Sequence, residues 1–141
     1  MGRSGGVTDV PLNPDLEGKT YPTISFTVDE DHVRRFAQAI GDDGASVPPT
    51  FATVPEILSG LDRVVADEEL GMDFARAVHG EETFEWRRPL RMGETLQVQT
   101  VVESIRTKRG HGFLVLRTDM RDRDGETVVI ARSTMVVRGS A

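Results

Sequence analysis

Cysteine is absent from all 141 residues, which excludes disulfides, zinc–thiolate sites and thiol nucleophiles. Histidine is scarce, with only His32, His79 and His111 available for imidazole chemistry near neutral pH. Positive charge is in the minority: 17 Lys and Arg face 23 Asp and Glu, for a net charge of -6. The cations fall in small groups, Arg87-Arg88 and Arg106, Lys108, Arg109, which read as solvated strand ends. Phosphate-backbone binding needs cations clustered, so a general nucleic-acid binder is excluded. No apolar run approaches the roughly eighteen residues that span a membrane. The start of the chain lacks the basic-then-apolar layout of a secretory signal, so a cytoplasmic protein is expected. P-loop, GxGxxG and metal-ligand spacings are missing, as are internal repeats.

What is present suffices for one domain with a single core. Residues 1–16, rich in Gly, Ser and Pro, are expected to form a flexible arm, and 17–141 the folded domain. "YPTISFTV" alternates Ile24, Phe26 and Val28 on one face, as in a half-buried strand. Asp29 suits a helix cap, Val33, Phe36, Ala37 and Ile40 recur at helical spacing, and Gly41 stops the run. A second period, Val54, Ile57, Leu58, Leu61, Val64 and Val65, predicts an apolar helix face of about four turns. Pro48-Pro49 enforces an extended approach to it, with Thr50 or Thr53 as cap.

Beyond Val78 the pattern becomes strand-like. "HGEETFEW", "ETLQVQTVVESI", "GFLVLRTDM" and "ETVVIARSTMVV" predict four strands, the last two joined by the hairpin signal Asp124-Gly125. One antiparallel sheet of about five strands wrapped around a long central helix buries both periodicities, giving an α+β hot-dog fold. The final strand reads as apolar on both faces, Val128, Ile130 and Val136 on one and Val129, Ala131, Met135 and Val137 on the other. A second sheet or subunit is therefore expected over the outer face, pairing two such units into a double hot-dog dimer.

The phrases "FTVDEDHVRRFAQAIGDD", "PPTFATV", "VHGEETFEWRRPLRMGETL" and "DRDGETVVIARSTMVVRG" resemble the MaoC-like hot-dog family. More narrowly, they resemble its N-terminal dehydratase-type domain, the non-catalytic partner of a catalytic MaoC domain. The resemblance spans Tyr21 to Arg138. It implies (R)-specific hydration of enoyl thioesters, or dehydration of 3-hydroxyacyl thioesters, with CoA or phosphopantetheine as carrier and no other cofactor. Catalytic members carry Gly-Asp-x-Asn-Pro-x-His after the first helix. Here Gly41 and Asp42 match, but Gly44, Ala45 and Val47 replace Asn, Pro and His. The chain then runs directly into "VPPTF" without the usual intervening loop.

The resemblance implies an accessory, substrate-binding half whose partner, a catalytic MaoC-type subunit, supplies Asp and His. Two other readings stay open: a homodimeric acyl-thioester-binding protein without catalysis, and a self-sufficient hydratase or thioesterase. The last would use unorthodox groups, for example Asp42 with His79; Glu56 is the one acid early in the long helix. Asp42 also reads as a simple turn residue, and His79 as a strand-edge histidine. Candidate substrate-binding residues are Pro49, Thr50 and Phe51 at the helix start, where free N–H groups suit a thioester carbonyl. Ile57, Gly60 and Leu61 are candidates for an acyl tunnel, and Arg88 for the carrier's phosphate. The alternatives are helix initiation for the first set and packed core for the second.

Overall fold

The computed structural model describes residues 11–139. Helix α1, Glu30–Ile40, begins where the sequence places it: Asp29 Oδ2 accepts the His32 backbone N–H at 3.0 Å. Gly41 closes it at φ 78°, a left-handed conformation that suits glycine. The strands are β1 Ile24–Thr27, β2 Ala77–Trp86, β3 Thr95–Lys108, β4 His111–Arg121 and β5 Thr127–Val137. They form one antiparallel sheet in the order β1-β3-β4-β5-β2, which leaves β1 and β2 at the edges. The β4–β5 hairpin is tied by Asp122 Oδ1, which accepts the N–H groups of Asp124 and Glu126 at 2.9 and 3.0 Å.

The central helix lies against β3 and is less regular than its apolar period predicts. It comprises a 3-10 turn Pro49–Ala52, α2 Thr53–Glu56, a π turn Ile57–Leu61 and α3 Asp62–Ala66. A π turn holds more residues than an α turn and rotates whatever follows. The buried face is Pro55, Glu56, Ser59, Gly60 and Val64, while Ile57 is 44% and Leu58 55% exposed. This corrects the expected face from Val54 to Val65. The physical reason is close approach: a Cβ on Gly60 would clash with Thr100 Oγ1 on β3. Gly60 therefore meets the sheet closely, while Ile57 and Leu58 stay partly exposed. The expected threonine cap is also absent. Thr53 Oγ1 donates to the Thr50 carbonyl at 2.8 Å, and the prolines alone set the helix start.

Two apolar clusters flank a polar band. Phe51, Val33, Leu96, Val98, Met120 and Val129 belong to the first. Val64, Leu70, Val102, Leu114, Met135 and Val137 belong to the second. Between them each long strand carries one buried hydroxyl: Thr100 on β3, Thr118 on β4 and Ser133 on β5. Thr100 and Thr118 are register partners, and their hydroxyl oxygens lie 3.3 Å apart.

Two further expectations are corrected. The outer face of β5 is not an apolar surface awaiting cover. Arg132 sits in its middle, with Nε 3.0 Å from Glu103 Oε2 and Nη1 3.2 Å from Glu85 Oε1, and Arg117 joins the same network through Glu103. Val128 instead turns into the first cluster beside Val129. The expected flexible arm is docked from residue 11 onward. Leu12 is buried in the second cluster, and the Asn13 N–H donates to the Leu70 carbonyl at 3.0 Å. The rest of that arm, residues 1–10, lies outside the described residues.

Candidate functional site

Strand β2 carries the feature that builds the site. Its pairing with β5 runs His79 opposite Met135, then slips, then continues with Glu81 opposite Thr134 and Glu82 opposite Ser133. In a regular strand, residues 79 and 82 face opposite sides of the sheet. The bulge at Gly80 takes up one residue and turns both onto the inner face, shared with Met135 and Ser133. A Cβ on Gly80 would lie 3.3 Å from Val136 Cγ2, so the bulge favours glycine for space. From the opposite side, the end of α2 brings the buried Glu56 inward, just ahead of the π turn.

These groups wall a cavity of about 430 Å³ between the central helix and the sheet. Ile57, Leu61, Phe74, Leu116 and Met135 form its apolar wall, and Glu56, His79, Glu82, Thr100, Thr118 and Ser133 its polar one. His79 Nε2 stands 3.0 Å from Ser133 Oγ and 3.1 Å from Glu82 Oε1. Both contacts end on one ring nitrogen. A serine–histidine–carboxylate relay needs the two nitrogens to serve different partners, so Ser133 is not an activated nucleophile.

Glu56 is only 6% exposed, and its Oε2 and that of Glu82 are both buried without a donor from the rest of the described protein. Burial, then the hydrogen bond to Glu82 and the charge on Glu82, push the Glu56 carboxyl up to about 9. At neutral pH Glu56 is therefore a neutral acid, able to donate a hydrogen bond as well as accept one.

The structure brings His79, Ile57 and Leu61 to this cavity and leaves the other sequence candidates elsewhere. Asp42 is exposed; its Oδ1 accepts the Gly44 N–H at 2.8 Å, and no contact joins it to His79 among the described residues. Val47, at the usual histidine position, is a buried member of the first apolar cluster. Phe51 is fully buried, with ring centroids 5.3 Å from Phe36 and 5.2 Å from His32, and is a core residue, not a ligand contact. Thr50 is exposed, and Pro49 borders a separate recess of about 240 Å³ with Trp86 and Leu90. Gly60 packs on Thr100 and is not a wall of the cavity. Arg88 is held by Glu94 at 2.8 Å and Asp122 at 3.5 Å and lines a separate polar recess of about 420 Å³ with Arg91 and Arg123. His111 Nδ1 accepts the Gly139 N–H at 3.1 Å.

Sequence reasoning missed Glu82, Thr100, Thr118 and Ser133 and undervalued Glu56. A legible signal existed: each of β3, β4 and β5 interrupts its inward apolar series with one hydroxyl, at Thr100, Thr118 and Ser133. The bulge that recruits Glu82 is marked in sequence only by Gly80.

A five-stranded antiparallel sheet packed on a central helix, with a cavity between them, defines a hot-dog protein. The chain belongs to the MaoC-like hot-dog dehydratase family: residues 16–131 match the family described as "FAS1-like, dehydratase domain region". A UPF0336 protein of Saccharopolyspora erythraea is 33% identical over 94% of this chain and 95% of its own length. Another, from Streptomyces coelicolor, is 32% identical over 92% and 97% respectively. Among solved structures, a chain of the C-terminally truncated HadBC (3R-hydroxyacyl-ACP dehydratase) complex of Mycobacterium tuberculosis superposes with a TM-score of 0.75. It has 24% identity and is covered over 97% of its length by 86% of this chain. A MaoC-like dehydratase of Phytophthora capsici gives 0.73 at 21% identity, covering 89% of this chain and 50% of that one. Among the described residues, no helix is long and apolar enough to cross a membrane.

Proposed function

We propose that this chain is the accessory, substrate-binding half of an (R)-specific 3-hydroxyacyl-thioester dehydratase or enoyl-thioester hydratase. Its cavity would hold the acyl chain, and a MaoC-type hot-dog subunit would supply the catalytic Asp and His. The observation that carries this reading is Val47. Where an imidazole would shuttle the α-proton, this chain has a buried aliphatic side chain only 8% exposed, and neighbouring Asp42 is consumed in a local turn.

The partner reading rests on surface left uncovered. Strand β2 is ten residues long and, among the described residues, pairs with β5 alone, so its other edge has no strand partner there. Beside it, Val78 on the strand, Phe74 before it and Ile57 and Leu58 on the helix are exposed apolar groups. Another hot-dog subunit matches both, joining edge to edge while its helix covers Ile57 and Leu58. The HadBC complex, to which this chain is similar in fold, carries a 3R-hydroxyacyl-ACP dehydratase description and is consistent with a carrier-bound thioester as substrate.

The test is hydration of crotonyl-CoA by the purified chain alone and by the chain co-expressed with a MaoC-type subunit that has the intact Asp…His pattern. Turnover is expected only from the pair, as a stable heteromer. Turnover by the chain alone would overturn the assignment in favour of a self-sufficient enzyme. A stable homodimer that binds acyl-CoA, ignores the second subunit and never turns over would favour the non-catalytic binding protein.

A further inference from the structure

A plain alkyl chain is a poor occupant for the polar wall of this cavity. Glu56 Oε2 and Glu82 Oε2 are buried without a hydrogen-bond partner among the described residues, and Thr100, Thr118 and Ser133 add three buried hydroxyls. A methylene pressed against such a wall forfeits whatever hydrogen bonds water made there, a loss of about 1–3 kcal/mol for each stranded polar group. Across the cavity, Ile57, Leu61, Phe74, Leu116 and Met135 offer the apolar surface that methylenes require. The complementary ligand is amphiphilic: mostly hydrocarbon, with one polar group at the level of the glutamates.

The unpartnered oxygens narrow that group. An ammonium would call for two ionised carboxylates, but burial holds Glu56 in its neutral acid form. A carbonyl accepts but cannot donate, so it leaves the oxygens Glu56 Oε2 and Glu82 Oε2 unanswered. A hydroxyl does both, donating to a carboxyl oxygen that lacks a partner and accepting from the hydroxyls beside it on the same wall. It therefore reproduces the bonds that a water would make there, the condition under which displacing one costs no affinity.

We infer that the Glu56–Glu82 pair is a specificity site for a hydroxyl group on the acyl chain, so that this cavity selects hydroxylated acyl thioesters over saturated ones of equal length. The inference rests on the acyl-binding function proposed above and adds the substrate class. The hydroxyl concerned is one carried along the chain at the depth of the glutamates, distinct from the hydroxyl that the partner's chemistry adds or removes.

Decanoyl-CoA and a series of hydroxydecanoyl-CoA isomers, with the hydroxyl moved stepwise toward the chain end, test it by calorimetric titration. The full chain would be titrated alone and with its MaoC-type subunit. At least one isomer is expected to bind ten-fold or more tightly than decanoyl-CoA. In the Glu56→Met/Glu82→Met protein that preference should vanish and decanoyl-CoA should bind more tightly than to the original. Equal affinity across the wild-type series overturns the specificity site while leaving acyl binding intact, whether or not the variant folds. A preference that survives in a folded double variant overturns it equally. Failure of every acyl-CoA to bind, with and without the partner, would instead overturn the proposed function itself.

Discussion

On β3, Leu96 and Val98 close around Phe51 in a dry, filled half of the core, whereas two residues further along Thr100 opens a polar hollow against the same helix. The filled half contains Val47 and Phe51 at the start of the central helix. The hollow half holds titratable side chains that no catalytic motif announces. One helix thus serves two purposes along its length: its first turn is a structural plug, and its middle is the wall of a chamber. The contrast teaches that one helix can close off one end of a fold and still leave a polar chamber at the other.

Replacing Phe51 with Ala should strain this contrast most. The ring is fully buried between Phe26, Phe36 and His32, so its removal should cost about 3–5 kcal/mol in urea unfolding. A loss below about 1 kcal/mol would mean that the first half is not the tightly packed plug described. Next in size is a pH effect confined to the hollow. Folding raises the Glu56 carboxyl from its ordinary 4.5 to about 9, so the folded state holds this proton more firmly than the unfolded chain does. Its contribution to stability is complete below about pH 4.5 and declines as pH rises toward 9, by up to ~1.4 kcal/mol per unit. Glu56→Gln, whose amide donates to Glu82 at every pH, should flatten that decline between pH 6 and 8. An unchanged slope in the variant would place the titrating group elsewhere. The smallest effect belongs to Asp42→Ala, expected within about 0.5 kcal/mol because it removes an exposed local turn bond. It should leave turnover by the two-subunit complex unchanged; a large loss of turnover would restore Asp42 to the chemistry.

Periodicity and turn chemistry made the scaffold legible. Asp29, Gly41, Asp124-Gly125 and the alternating strands all act locally, and each appears where its own physics places it. The site was legible only in part, because its residues converge through departures from period. In the sequence Glu56 stands out only as the one acid early in the long helix; its inward face is fixed by the close Gly60–Thr100 approach one turn on. Glu82 carries no signal of its own and is turned inward by the bulge at Gly80, which resets the alternation. His79 was singled out correctly as the imidazole of interest, but it was paired with Asp42, a residue that its own turn keeps at the surface. Ile57 and Leu58 read as core because nothing in an apolar run distinguishes a fully packed position from a half-exposed one.

The π turn Ile57–Leu61 and the bulge beside Gly80 stand on opposite walls of one chamber, and each is a surplus residue in an otherwise periodic lattice. In the language of solids they are paired dislocations, and the void is what remains where two stacking orders fall out of step. Emptiness of this kind needs no small side chains along its walls, so the chamber's capacity is set by backbone counting, and its contents can be retuned by substitution without refilling it.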